Sequence, residues 1–342
     1  MREIKLKTSD KTSRILVGES YGKIEKYLPG SRVVIITDEN VASHYSDSFP
    51  NGLIIAVKPG ESSKTLDSVS RIFDQLIRNE VDRKSFILGI GGGIVTDLAG
   101  FIASTYLRGL RFGFISTTLL GQVDASIGGK NGINFEGYKN MVGIVRQPDF
   151  VICDPEMLNT LKPSEFRMGF AEVIKYGAIL DPDLFEFLER NHTQALNRDP
   201  GVMEEIIGVS VSAKCDIVSN DENESGERKK LNFGHTFAHA YEKLSGLPHG
   251  EAVGIGMVMA ARLSERLGLI SQAEVDRLRE LIILYGLPVA YKGTCHEVFE
   301  VMKNDKKRGG DSISLILLES IGKSIIREVP MSELKNLIDD LC

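Results

Sequence analysis

The alternation of apolar and polar positions changes rhythm about half-way along this chain. In the first half, short β-branched runs alternate with segments of helical period. SRVVIITDEN is an apolar run closing on Asp and Asn, the pattern of a buried strand entering a loop. GLIIAVKPGE predicts a second strand stopped by a Pro-Gly turn, and SFILGIGGG and RFGFISTTLL predict a third and a fourth. Between them, TLDSVSRIFDQLIRNEV places Leu66, Val69, Ile72, Phe73, Leu76 and Ile77 at helical spacing with charged residues opposite. Strands alternating with helices predict a parallel sheet covered on both faces.

After Asp154-Pro155 the period becomes helical. SEFRMGFAEVIKYGAI, DLFEFLERN, MEEIIGVSVSAKCDIV, TFAHAYEKLS and EAVGIGMVMAARLSERLG all carry it, with one hairpin expected near DSISLILLESIGKSIIREV. The expected organisation is an α/β domain over 1–155 and a helical domain over 156–342. The two are expected to pack closely with the active site between them, and 342 residues suit two domains.

Composition narrows the classes. Apolar residues at 42% and charged residues at 26% are ordinary for a globular protein. A net charge of −6 argues against nucleic acid as a partner, while leaving room for a local basic pocket. The N-terminal segment has no apolar signal region and no apolar run reaches transmembrane length, so neither secretion nor a membrane is expected. Cys153, Cys215, Cys295 and Cys342 form no CxxC pair and read as thiols of a reducing, cytoplasmic compartment.

Three groups of residues carry candidate chemistry. GIGGGIVTDLAGFIA follows a strand and opens a helix. Gly91, Gly92 and Gly93 would let a pyrophosphate approach the backbone, with Asp97 and Asp38 placed for a ribose or nicotinamide. Ile94 breaks GxGxxG, so a bare strand-to-helix turn is the competing reading. In the helical half, Glu172, His235, His239 and His249 supply two-His-one-carboxylate combinations of the catalytic zinc type, and spacing leaves open which two His bind. Thr236 rules out HExxH. Of the basic residues, Lys130 and Lys139 in GGKNGINFEGYKN read as anion ligands in a loop, whereas Lys229, Lys230 and Lys307 read as solvated charge.

Taken together, GGGIVTDLAGF, TYLRG, STTLLGQVDASIGGK, YKNMVG, FRMGFAEVIKYG, DENESGERKKLNFGHTFAHA and LPHGEAVGIGM resemble the 3-dehydroquinate synthases. They run in that family's order and spacing from about Asp38 to Lys307. The resemblance implies a Rossmann-like α/β N-terminal domain, an all-α C-terminal domain and a homodimer. It implies tightly bound NAD and one catalytic metal, zinc or cobalt. The implied substrate is 3-deoxy-D-arabino-heptulosonate 7-phosphate, converted to 3-dehydroquinate and phosphate in the shikimate pathway. That chemistry is oxidation of a hydroxyl by NAD, elimination of phosphate, return of the hydride, ring opening and aldol closure.

On matching positions, the resemblance makes Glu172, His235 and His249 the metal ligands and leaves His239 to handle protons or contact substrate. Asp124, Lys130, Lys139, Asn140, Lys175, Lys214, Glu224, Arg228, Asn232 and Lys306 fall on active-site positions, and Arg108 reaches the partner subunit's site. NAD contacts fall on Asp38, Glu61, Lys64, Gly92, Gly93, Asp97, Thr117 and Thr118, with Lys130 and Lys139 beside them. Three positions depart from the pattern: Tyr138 stands where Gly is usual, Asn131 where Thr or Val is common, and Arg146 where His is often found. Loop shape and substrate affinity are what these would change. Lys214, Arg228, Asn232 and His239 favour this reaction over sister sugar phosphate cyclases such as aminodehydroquinate or 2-deoxy-scyllo-inosose synthase. The two-lysine loop argues against a metal-dependent polyol dehydrogenase, and the intact set of cations and ligands against a non-catalytic binding protein.

Overall fold

The computed structural model describes residues 1–306 and 311–339, with side chains at 304–306 and 339 left aside. The chain divides into two compact units, Met1–Lys162 with Met203–Glu222, and Pro163–Val202 with Asn223–Cys342. The crossing segment is part of a helix that the sequence places in the helical half. Ion pairs of Glu204 with the Met1 ammonium (2.8 Å) and of Glu205 with Arg2 (3.0 Å) hold it to the first unit.

The first unit is built on a seven-stranded sheet of order β1-β2-β9-β6-β5-β3-β4. Its strands are β1 (Arg2–Lys7), β2 (Thr12–Val17), β3 (Val33–Asp38), β4 (Leu53–Val57), β5 (Phe86–Gly91), β6 (Arg111–Ser116) and β9 (Phe150–Cys153). Only the β1–β2 pair is antiparallel; all other pairs are parallel. The four strands expected from sequence are β3 to β6. The central strands are buried along their length, save Asp38 at the end of β3, because both faces are covered, which removes most polar positions from the pattern. On one face Leu16, Val33, Ile35, Phe86, Leu88, Ile115 and Phe150 pack under Tyr21, Tyr27, Val41 and Tyr45. On the other lies α3 (Gly93–Thr105), seated so closely that a Cβ on Gly89 would stand 2.9 Å from Ala99. Helices α1 (Glu39–Tyr45) and α2 (Leu66–Arg78) complete this part.

GGKNGINFEGYKN is not an irregular loop. It forms the hairpin β7 (Lys130–Phe135) and β8 (Tyr138–Val145), turning through Glu136 (φ 48) and Gly137 (φ 79). Two successive left-handed residues suit a two-residue turn that follows the strand twist.

The second unit contains α4 (Pro163–Ile179), α5 (Pro182–Leu196), α7 (His235–Ser245), α8 (His249–Arg266), α9 (Gln272–Leu284), α10 (Cys295–Lys306) and α11 (Met331–Asp339). Helix α6 (Pro200–Asn220) begins in this unit and continues in the first. The expected hairpin is β10 (Ser312–Ser320) with β11 (Lys323–Pro330). Helix α8 is buried from Gly250 to Leu263 save Glu251 and Arg262, which marks it as the centre of the bundle. No described helix is long and apolar enough to cross a membrane. Cys153 and Cys215 are buried thiols, as expected. Cys295, expected as a thiol, is disulfide-bonded; separation along a sequence says nothing of approach in the fold. Cys342 and Lys307 lie outside the described residues, as does the side chain of Lys306.

Candidate functional site

Each unit assembles its own constellation. In the first, Asp38 ends β3, Gly91 ends β5 and Thr117 follows β6, so all three stand at the carboxyl edge of the parallel sheet. Gly92 and Gly93 are demanded by the turn itself, since added Cβ atoms would lie 2.7 Å from Thr118 and 2.8 Å from Ala125. The ligand reading rests on what stands beside them. Gly92 caps the long helix α3 without a side chain, leaving its first-turn N–H groups to an anion. Thr118 Oγ1 accepts from Gly121 N–H (3.0 Å), fixing the π-type turn Gly121–Ala125 that carries Asp124. Asp38 accepts from Val41 N–H (3.0 Å) as the cap of α1.

Beside the glycines, Lys64 is 3% exposed and donates to Asp97 Oδ2 (2.6 Å) and to Asn140 Oδ1. Burial pushes the Asp97 carboxyl up to about 6, against the pull of Lys64. Asn134 links this group. It donates to Glu61 Oε1 (2.8 Å) and accepts from Asn140 N–H (2.9 Å), a role that sequence reading missed because Asn in a glycine-rich segment reads as a turn residue. The structure therefore joins Glu61, Lys64, Asp97 and Asn140 in one network. Lys130 stands at the base of the β7–β8 hairpin opposite Val145, while Lys139 stands near its tip, both exposed. Lys214 of α6 is buried and donates to Asp124 at both its main-chain oxygen (2.7 Å) and Oδ1 (2.6 Å). Arg108 follows α3 in an exposed turn of left-handed backbone.

In the second unit Glu172 of α4, His235 at the start of α7 and His249 at the start of α8 converge, with one donor atom from each within 4.8 Å of the others. Close backbone packing places them. Gly250 would drive a Cβ to 2.4 Å from Met168 O, so only glycine lets the first turn of α8 lie on α4. Gly234, at φ +77, would meet Met257 N at 2.7 Å, so the start of α7 lies on α8. Spacing alone allowed the pair His235 and His239; packing brings His249 to Glu172 instead.

The electrostatics of this cluster fit a cation. Glu172 is fully buried. Its Oε2 accepts from buried Lys175, one helical turn on, while its Oε1 has no hydrogen-bond partner. That oxygen faces His235 Nε2 at 3.4 Å and His249 Nε2 at 3.5 Å. Burial would raise the Glu172 carboxyl, but Lys175 and His235 outweigh it and hold the group well below the carboxylate range. The far ring nitrogens are anchored: His235 Nδ1 at 3.1 Å from Phe233 O, and His249 Nδ1 at 2.8 Å from Glu242 Oε1. Anchored Nδ1 atoms leave both Nε2 atoms turned on one orphan carboxylate oxygen, the arrangement of a metal site with its supporting acceptors. Burial would lower His249; Glu172 and Glu242 prevail and raise it to about 9.

A cavity of about 670 Å³ opens beside this cluster, lined by Glu224, Lys229, Asn232, His235 and His239, with Met302, Ile313 and Ile316 as its apolar wall. Asn232 Nδ2 donates to Glu224 Oε1 (2.5 Å), and Arg228 is buried close by in sequence. Lys229 and Lys230 are not solvated surface charges. Both are half-buried, Lys229 lining the cavity and Lys230 pairing with Glu227 (2.6 Å), because the tight turn Glu227–Asn232 folds them inward.

The domain models for the 3-dehydroquinate synthase N-terminal and C-terminal parts match residues 54–168 and 169–308. The chain belongs to the 3-dehydroquinate synthase family. A 3-dehydroquinate synthase of Dictyoglomus thermophilum is 42% identical over 338 residues, 96% of this chain and 95% of that relative. One of Saccharolobus solfataricus is 40% identical over 349 residues, 99% of both chains. Among solved structures, a 2-deoxy-scyllo-inosose synthase complexed with carbaglucose-6-phosphate, NAD+ and Co2+ superposes with a TM-score of 0.87. It is 27% identical and covers 99% of this chain and 100% of its own. A 2-epi-5-epi-valiolone synthase from Streptomyces hygroscopicus with NAD+ and Zn2+ bound gives 0.89 at 26% identity, over 98% of each chain.

Proposed function

We propose that this chain is a 3-dehydroquinate synthase, a phosphate-eliminating lyase that converts 3-deoxy-D-arabino-heptulosonate 7-phosphate to 3-dehydroquinate and phosphate. The observation that carries the chemistry is the orphan Glu172 Oε1 facing two oriented imidazoles. The family carries the substrate. Identity of about 40% to 3-dehydroquinate synthases over nearly the whole chain favours that substrate over those of the sister cyclases, which are 26–27% identical.

Glu172, His235 and His249 would hold the divalent cation, Zn2+ or Co2+, which supplies a Lewis acid for substrate oxygens. Asp38, Glu61, Lys64, Gly92, Gly93, Asp97, Thr117 and Thr118 would hold NAD, which supplies a hydride acceptor that is restored within each turnover. The remaining residues bind and orient. Arg228 offers a planar fork to the substrate carboxylate. Lys130, Lys139 and Asn140 hold the phosphate, and Lys214, fixed by Asp124, holds a substrate hydroxyl. His239 handles a proton at the cavity rim, where it is exposed. Asn232 and Glu224 fix each other and so present one amide face to the cavity. Lys175 neutralises one oxygen of Glu172 and leaves the other for the cation. Lys306 completes the set of cations.

The enzyme acts as a cytoplasmic homodimer. Phe135, Tyr138, Met141, Ile144 and Val145 on the hairpin and Leu107 beside Arg108 are 39–54% exposed, an apolar surface that a second copy would cover while bringing in Arg108. The deciding experiment is phosphate release from 3-deoxy-D-arabino-heptulosonate 7-phosphate with catalytic NAD and Zn2+, with and without chelator. Chelator-sensitive release yielding 3-dehydroquinate, without build-up of NADH, supports the reading. No release by folded, metal-loaded protein sinks it and turns attention to the substrates of the sister cyclases.

A further inference from the structure

We infer that Arg146 is a positioning residue that braces two left-handed turns, one carrying Arg108 and the other preceding Lys130. Its functional consequence rests on the reading above, in which those two cations belong to the substrate site. Leu107, Arg108 and Gly109 follow one another at φ 49°, 69° and 115°. A run of left-handed residues persists only where its surroundings over-determine it.

The main chain closes this turn with Gly109 N–H to Tyr106 O (2.9 Å) and Leu110 N–H to Ala103 O (2.6 Å). Tyr106, at its start, is held by its hydroxyl on Val81 O (3.2 Å) and by its ring on Phe73, and Arg146 backs the left-handed residues that follow. Its Nη1 donates to the same Ala103 O (3.2 Å), and its guanidinium lies over the Phe112 ring at 5.4 Å. Nη1 also stands 3.1 Å from where a Cβ on Gly109 would be, so the guanidinium backs the turn directly. The main chain of Arg146 grips the second turn. Its N–H donates to Gly129 O (2.8 Å), and its carbonyl accepts from Asn131 Nδ2 (2.9 Å), which also donates to Gly129 O (2.6 Å). Gly128 and Gly129 are themselves left-handed, at φ 96° and 73°, and Lys130 follows directly. One residue therefore ties the backbone before Lys130 to the turn that aims Arg108. A shorter imidazole at 146 cannot span from the hairpin to Ala103 O while covering Phe112, and an ammonium lacks the planar face.

The test compares wild type with Arg146→Ala, Arg146→Lys, Gly109→Ala and the double variant Arg146→Ala/Gly109→Ala. Arg146→Ala is expected to lower kcat/KM on the order of 10- to 100-fold, chiefly through KM. NAD affinity and metal content should stay within about twofold of wild type, since neither constellation loses a contact. Millimolar guanidinium should restore part of the loss in Arg146→Ala and none in Gly109→Ala. Arg146→Lys should recover less than half of it. The double variant should be no worse than the poorer single one, because both act on one turn. Unchanged kcat/KM in Arg146→Ala, or loss that tracks NAD and metal loss alike in every variant, overturns the positioning role. Amide exchange across residues 107–110 separates this from the substrate reading. It should quicken more than about 10-fold in Arg146→Ala even if wild type proves inactive on this substrate, and unchanged exchange removes the brace whatever the activity.

Discussion

Replacing Lys175 with Met tests whether the metal and the lysine compete for one carboxylate. Lys175 and Glu172 are 2% and 0% exposed, one helical turn apart, so when no cation is bound Lys175 supplies the largest share of the charge compensating Glu172, with His235 and His249 beside its other oxygen. Breaking a buried pair by removing one partner costs about 3–5 kcal/mol, because a charge is left uncompensated. The metal-free variant should therefore lose about that much stability against urea. The chain has no Trp, so far-UV circular dichroism or Tyr fluorescence is the readout. Zinc at 100 times its Kd stabilises wild type by about 2.7 kcal/mol. In the variant the cation also replaces the missing ammonium, so the zinc-induced gain at the same free concentration should exceed that of wild type by about 1.4 kcal/mol or more, a tenfold tighter Kd. Turnover should fall all the same, because Glu172 Oε2 would lose the ammonium that holds the carboxylate in place. A zinc-induced gain equal to or smaller than that of wild type would refute the reasoning and make Lys175 a support of the site instead of a rival for its charge.

Three further outcomes are expected. His235→Ala should lose bound metal and turnover together, checked by atomic absorption on desalted protein and the phosphate assay; a fully active, metal-free variant would contradict the ligand assignment. Glu242→Gln keeps the shape but weakens the hold on His249 Nδ1, and should lower metal affinity about 10- to 100-fold by competition with a chromophoric chelator. Asp97 has its folded pKa raised from 3.8 to about 6, so its contribution to stability is fully present below about pH 4 and is lost as pH rises through 6. The unfolding free energy of wild type minus that of Asp97→Asn should accordingly fall by about 3 kcal/mol between pH 4 and pH 7, since each pKa unit is worth about 1.4 kcal/mol; a pH-independent difference would show that Asp97 is ionised throughout.

What could be read in the sequence and what could not follows from where each signal is stored. β3, β5 and β6 were legible because a strand covered on both faces has no polar positions to interrupt it. β1 and β2 were not read as strands, since an antiparallel edge pair keeps Glu3, Lys5 and Arg14 in solvent and looks merely mixed. The β7–β8 hairpin was hidden for the opposite reason. Tyr138 to Val145 is an exposed strand whose apolar residues meet no core of their own chain, so Gly and Asn dominated the reading. The metal cluster was half legible. Its donors are visible as residue types, but the choice of His249 over His239 is made by Gly250 and Gly234, which admit α4, α8 and α7 to backbone contact. Helical spacing describes one helix at a time, and here the ligands come from three. The same limit applies to Asn134 and Glu242, which no motif names, and to Arg146, which the family pattern marks only as a departure. Their importance lies in hydrogen bonds that cross from one element to another, and only the folded backbone brings those partners within reach.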